Sequence, residues 1–172
     1  MLRKHKLLLL FIFDLLLFNS LRAQQKQIQY LSGTDAAHTV QWDFMCTAGR
    51  NSSDPIATGW KKIQVPSCWE QQGFGNYNYG RDYKTNGKNA RFYDEQGMYK
   101  YQFKIPASWK GKNIHIVFDG SMTDTEVKIN GKSAGDTHRG AFYRFKYDIS
   151  SLLNYDKPNT LEVTVSKMSS DA

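Results

Sequence analysis

Between residues 113 and 167 apolar and polar side chains alternate almost without interruption, and that period of two constrains the chain more than any other feature. Ile114, Ile116 and Phe118 interleave with His115, Val117 and Asp119, and Thr125, Val127 and Ile129 with Glu126, Lys128 and Asn130. Tyr143, Phe145, Tyr147 and Ile149 alternate with Phe142, Arg144, Lys146 and Asp148, and Leu161, Val163 and Val165 with Glu162, Thr164 and Ser166. Successive strand side chains point to opposite faces, so each run describes a strand with one dry face. Several such strands, separated by turn residues and with no long helical period between them, predict an all-β sandwich or barrel.

The first residues read as an export signal. Arg3, Lys4, His5 and Lys6 precede an apolar run from Leu7 to Phe18, and Ser20 to Ala23 offers a small residue for cleavage. The run is shorter than the roughly 20 residues a membrane helix needs. Residues 1–23 are therefore expected to be removed, which makes the protein periplasmic or extracellular and leaves no membrane attachment. The whole chain has 23 Lys+Arg and 16 Asp+Glu. Removing Arg3, Lys4, Lys6, Arg22 and Asp14 leaves 19 against 15, a net charge of +4 without a dense basic run. That argues against nucleic acid as a partner. Cys46 and Cys68 are expected as unpaired thiols in aromatic surroundings. With four scattered histidines and no CxxC, no metal or other cofactor is expected.

Residues 24–41 read as a polar lead-in, and residues 42–172 as one domain. Trp42 to Cys46, Trp60 to Val65 and Met98 to Ile105 are expected strands. Asn130-Gly131 predicts a tight hairpin turn, and Ser150 to Leu153 at most a helical turn. Tyr99, Phe103, Phe118, Phe145 and Tyr147 fall on inward positions and are expected in the core. Ser67 to Gln96, rich in Gly, Asn and Tyr, has neither period and is where a site is expected. Its Phe74, Tyr77, Tyr79 and Tyr83 are candidates for ligand or interdomain contact. Glu70, Asp119, Asp124 and Glu126 have no spacing that lifts them above surface carboxylates, and His138 and Arg139 fall in a loop.

Four stretches together resemble the N-terminal sugar-binding domain of family 2 glycoside hydrolases, the β-galactosidase and β-glucuronidase group. They are Trp60 to Gly75; Gly97-Met-Tyr with Phe103 and Pro106; Phe118 to Gly131; and Gly135 to Ile149 with Asn159 to Val165. The variant is most similar to exported β-galactosidases of Bacteroidetes. The resemblance implies a galactose-binding-like jelly roll, and a terminal β-galactoside as substrate of a larger enzyme. In that family two glutamates on a (β/α)₈ barrel, about 5 Å apart, perform retaining hydrolysis. Ser169-Ser170-Asp171-Ala172 reads as a truncation point ahead of an immunoglobulin-like domain and that barrel, so this stretch alone is expected to be non-catalytic. The resemblance further implies that an Asn-x-x-Tyr loop reaches the sugar. Asn76 is the first candidate and Asn78 the alternate, with Tyr79 and Arg81 beside them; an asparagine amide can donate to and accept from a sugar hydroxyl. The plain alternative for either asparagine is a turn residue bonding its own backbone. The competing functional class is a free-standing secreted glycan-binding module.

Overall fold

A computed structural model describes residues 26–47, 59–76 and 94–170. Residues 26–30 form no regular element, and a compact unit begins at Leu31. That unit contains β1 (Val40–Thr47), β2 (Lys61–Val65), β3 (Gln96–Phe103), β4 (His115–Phe118), β5 (Asp124–Ile129), β6 (Lys132–Ser133), β7 (His138–Arg139), β8 (Phe145–Asp148) and β9 (Asn159–Ser166). Among the described residues the larger sheet runs β2-β1-β3-β9-β5-β6, with β7 also on β5, and β4 and β8 form a second sheet. All pairings are antiparallel. The chain is all-β, as its alternation predicts, and has the galactose-binding-like sandwich that the resemblance implies.

One face of the large sheet supplies the core: Trp42, Phe44 and Cys46 from β1, Ile63 from β2, Phe103 from β3, Val127 and Ile129 from β5, and Leu161, Val163 and Val165 from β9. Ile114, Ile116 and Ile149 join them from the smaller sheet and its flanks. The opposite face carries a row of alternating charge. Asp43 stands opposite both Lys62 and Lys100, and Glu162 opposite both Lys100 and Lys128. Lys62 approaches Asp43 at 2.5 Å and Lys100 approaches Glu162 at 3.0 Å. Such exposed pairs stabilise little, but opposite charges in register disfavour a slipped pairing.

The strand limits depart from the sequence reading where pairing, not pattern, decides. β1 begins at Val40, inside the expected lead-in, because Val40 pairs with Val65. The lead-in is tied down as well: the Trp42 indole donates to the Leu31 carbonyl at 3.0 Å, and the Gly33 N–H to that of Val65 at 3.0 Å. β8 starts at Phe145 instead of Tyr143, because its pairing with β4 ends at Phe118 opposite Phe145. Tyr143 and Phe142 are thus left 64% and 89% exposed. Of the expected core aromatics Phe103 is buried; Tyr99, Phe118 and Tyr147 pack on the core while remaining partly accessible, and Phe145, also half-buried, stacks on Phe118. For the last three the reason is the narrowness of a two-stranded sheet.

Asn130 and Gly131 turn β5 into β6 with φ of 54° and 78°, as a type I′ turn requires. Asn130 also donates through Nδ2 to Leu152 O and Asn159 Oδ1, both at 2.8 Å, and accepts from the Thr160 N–H at 2.9 Å. Asn130→Ala removes these bonds and places a Cβ-bearing residue with no compensating side chain at positive φ. We expect a loss of about 3 kcal/mol in urea unfolding, with an unchanged m value.

Candidate functional site

Downstream of β2 the chain folds back on the sheet end through a short 3₁₀ turn, Trp69–Gln72, closed by Gly73 at φ 84°. Gln72 staples the turn to β2: its Oε1 accepts from the Gln64 N–H at 2.9 Å and its Nε2 donates to Gln64 O at 3.0 Å. Trp69 lies against Gly97, where a Cβ would sit 2.5 Å from the indole ring. Phe44 packs beneath, with ring centroids 6.0 Å from Trp69, 4.9 Å from Phe74 and 4.7 Å from Tyr99. This packing carries Glu70 into the interior.

Three buried charged groups meet there. Lys167 Nζ lies 3.0 Å from Glu70 Oε1 and 3.1 Å from Glu95 Oε2, and all three side chains are at most 3% exposed. The same ammonium donates to the backbone carbonyl of Asn76. The Cys68 thiol donates to Glu70 Oε2 at 2.8 Å. Glu95 Oε1 accepts twice from Asn76, from the backbone N–H at 2.9 Å and from Nδ2 at 3.0 Å. Gly75, at φ 62°, passes close by; a Cβ there would touch Cys46 Sγ and Glu95 at 3.4 Å. Asn76 itself reaches the surface. The arrangement is inward-facing charge with one exposed residue, Asn76, bonded to it from the rim. The carboxylates are turned on the lysine, so the cluster offers no accessible acid or nucleophile.

Burial, reinforced by the negative charge of Glu95 and then Glu70, pushes the Cys46 thiol up to about 12, with Lys167 acting weakly in the other direction. Burial likewise raises the Tyr99 phenol above its ordinary value. Cys46 and Cys68 are thiols and are not joined in a disulfide. In the native protein at pH 8, a thiol reagent is expected to leave Cys46 unmodified and to reach at most the half-buried Cys68, whereas denaturant exposes both. Native labelling of Cys46 detected by peptide mapping contradicts this.

The segment after β9 is fixed on its other side too. Asp124, 4% exposed, accepts from Ser169 Oγ, Ser170 N and Ser170 Oγ, each at 2.9 Å. Arg139 donates to Ser170 Oγ at 3.2 Å. Thr123 Oγ1 donates to the carbonyls of Ser166 and Lys167 at 3.0 and 3.1 Å. Beside this anchor the His138, Phe145 and Phe118 rings stack at 3.7 and 4.9 Å. Exposed Met122, Phe142 and Tyr143 lie on the loops there, which touch where a Gly120 Cβ would come within 3.3 Å of Ala141 O.

Of the expected site residues Asn76 is placed on the rim of the buried cluster. Asn78, Tyr79 and Arg81 lie outside the described residues, as do Tyr77 and Tyr83. Phe74 is not an outward contact, because it packs edge-on against Phe44. Glu70 and Asp124 are not surface carboxylates; each is buried against a specific partner. Lys167 and Glu95 escaped the sequence reading, although a signal exists: Lys167 continues the inward series Val163, Val165, and Glu95 precedes the inward Gly97 and Tyr99. A charge at a dry strand position demands a buried partner. Among the described residues no group of three or more His, Cys, Asp or Glu could hold a metal ion.

The all-β sandwich narrows the class of domain, and similarity to known proteins makes the class specific. The family described as "Glycosyl hydrolase 2 galactose-binding domain-like" matches residues 42–172. The chain belongs to that family. It is 28% identical over 128 residues to the beta-galactosidase BoGH2A of Bacteroides ovatus, covering 73% of this chain and 14% of that protein. Identity to a beta-glucuronidase of Bacteroides fragilis is 27% over 155 residues, covering 89% and 18%. The crystal structure of a Bacteroides uniformis beta-glucuronidase is similar with a TM-score of 0.58 at 27% identity, over 86% of this chain and 15% of that one. The chain thus spans less than a fifth of the length of these relatives.

Proposed function

We propose that this chain is the N-terminal sugar-binding domain of an exported family 2 glycoside hydrolase that cleaves terminal β-galactosides. The observation that carries the reading is the family match over residues 42–172 in a chain that corresponds to 14% and 18% of the length of its curated relatives. The reaction belongs to the two glutamates that family members place on a barrel. The contribution of this domain is to close one side of the sugar pocket and to present Asn76, whose amide suits a sugar hydroxyl. Met122, Phe142 and Tyr143, large apolar side chains exposed on neighbouring loops, supply apolar surface with which it packs on the catalytic domain. Residues 1–23 direct export and are removed, with the mature protein starting at Gln24.

The test is to express the complete natural reading frame and assay it with nitrophenyl β-D-galactoside and β-D-glucuronide. Galactoside cleavage with retained configuration is the expected result. Preference for the glucuronide overturns the substrate while keeping the hydrolase class, and binding without cleavage of either favours the free-standing glycan-binding module.

A further inference from the structure

We infer that Glu95 is a positioning residue for Asn76, an inference that rests on Asn76 facing the sugar. Asn76 has four groups able to hydrogen-bond: the backbone N–H, the backbone carbonyl, and the side-chain Nδ2 and Oδ1. Glu95 Oε1 accepts from two of them, at 2.9 and 3.0 Å, and Lys167 Nζ occupies the carbonyl. The two donors converge on one oxygen, which sets the backbone and the side-chain torsions of Asn76 together. What remains on this exposed residue is Oδ1 and the second Nδ2 hydrogen, one acceptor and one donor, a pair suited to adjacent ring hydroxyls of a pyranose.

Glu95 is itself held rigid. It is fully buried, its carbonyl accepts from the Lys167 N–H at 2.9 Å, and its second carboxylate oxygen faces the Lys167 ammonium at 3.1 Å. Glu95 sits immediately before β3, so the sheet fixes the acceptor and the acceptor fixes Asn76. A buried carboxylate is costly to keep, and Lys167 already has Glu70 as a partner at 3.0 Å. A second carboxylate in the same cluster is accounted for by the two Asn76 donors it receives.

The charge balance gives a clean comparison between two variants. Glu95→Gln and Glu95→Met both leave the Glu70–Lys167 pair neutral and intact. Gln at 95 retains an acceptor at the Oε1 position; Met, of similar length, does not. Amide hydrogen exchange of the full chain is expected to be about tenfold faster at Asn76 in Glu95→Met than in Glu95→Gln. Exchange in β3 and β9 should be equal in the two. Affinity for methyl β-D-galactoside, read by titration calorimetry, should fall by a similar factor in the Met variant alone. Equal Asn76 exchange in both variants overturns the inference. Should wild type and variants all fail to bind the sugar, the sugar-facing reading falls, while the exchange comparison still decides whether Glu95 positions Asn76.

Discussion

Lys167→Met is expected to be among the most damaging single substitutions in this domain, lowering stability by about 4 kcal/mol. The side chain is 3% exposed and lies 3.0 and 3.1 Å from two carboxylates that are themselves buried. Removing the ammonium takes away the cation that lies between two buried like charges. The loss therefore reflects the cost of keeping two facing carboxylates buried more than a lost attraction. A melting curve followed by circular dichroism should shift down by on the order of 10 °C. Neutralising the two carboxylates, with Glu70→Gln and Glu95→Gln added to Lys167→Met, should recover most of that shift. A single variant that melts with the wild type would mean that water reaches the cluster and that its charges are solvated.

Gly97→Ala is the second large effect, and it acts through shape. The added methyl would lie 2.5 and 2.7 Å from two carbons of the Trp69 ring and 2.8 Å from Phe44. Neither ring can yield cheaply, because Phe44 is fully buried and Trp69 is clamped between it and β3. Overpacking of this kind costs about 3 kcal/mol, measurable as a lower urea midpoint. The displaced indole takes Glu70, the next residue, away from Lys167, so the damage spreads to the buried charges. Trp69→Phe in the Gly97→Ala background should restore part of the loss, since the smaller ring vacates the space. A double-mutant cycle with no coupling between 97 and 69 would contradict the contact.

The fold was legible because it depends on a period of two, which survives in the sequence wherever one face is dry. β9 illustrates this: Leu161, Val163 and Val165 are buried as their alternation requires. Strand ends were less legible because they depend on a partner. Tyr143 has the right parity for β8 but stands beyond the last residue of β4, so it is exposed. The site was legible only in part. Asn76 could be chosen from its place in the Gly/Asn/Tyr-rich segment, yet what holds it comes from Glu95 and Lys167, 19 and 91 residues further on. Glu70 and Asp124 were misjudged for the same reason: spacing along the chain says nothing of a lysine or a pair of serines that approaches from the segment after β9. Only the parity of Lys167 with Val163 and Val165 hinted at it.

Whether Asn76 meets the sugar is read most directly by a ¹⁵N chemical-shift titration of the protein with methyl β-D-galactoside. The Asn76 backbone and Nδ2 resonances are expected to shift together with that of Gly75, while those of the charged outer face around Asp43 and Lys128 stay fixed. Saturable shifts confined to Phe142, Tyr143 and their neighbours, with Asn76 unmoved, would contradict the sugar-facing reading.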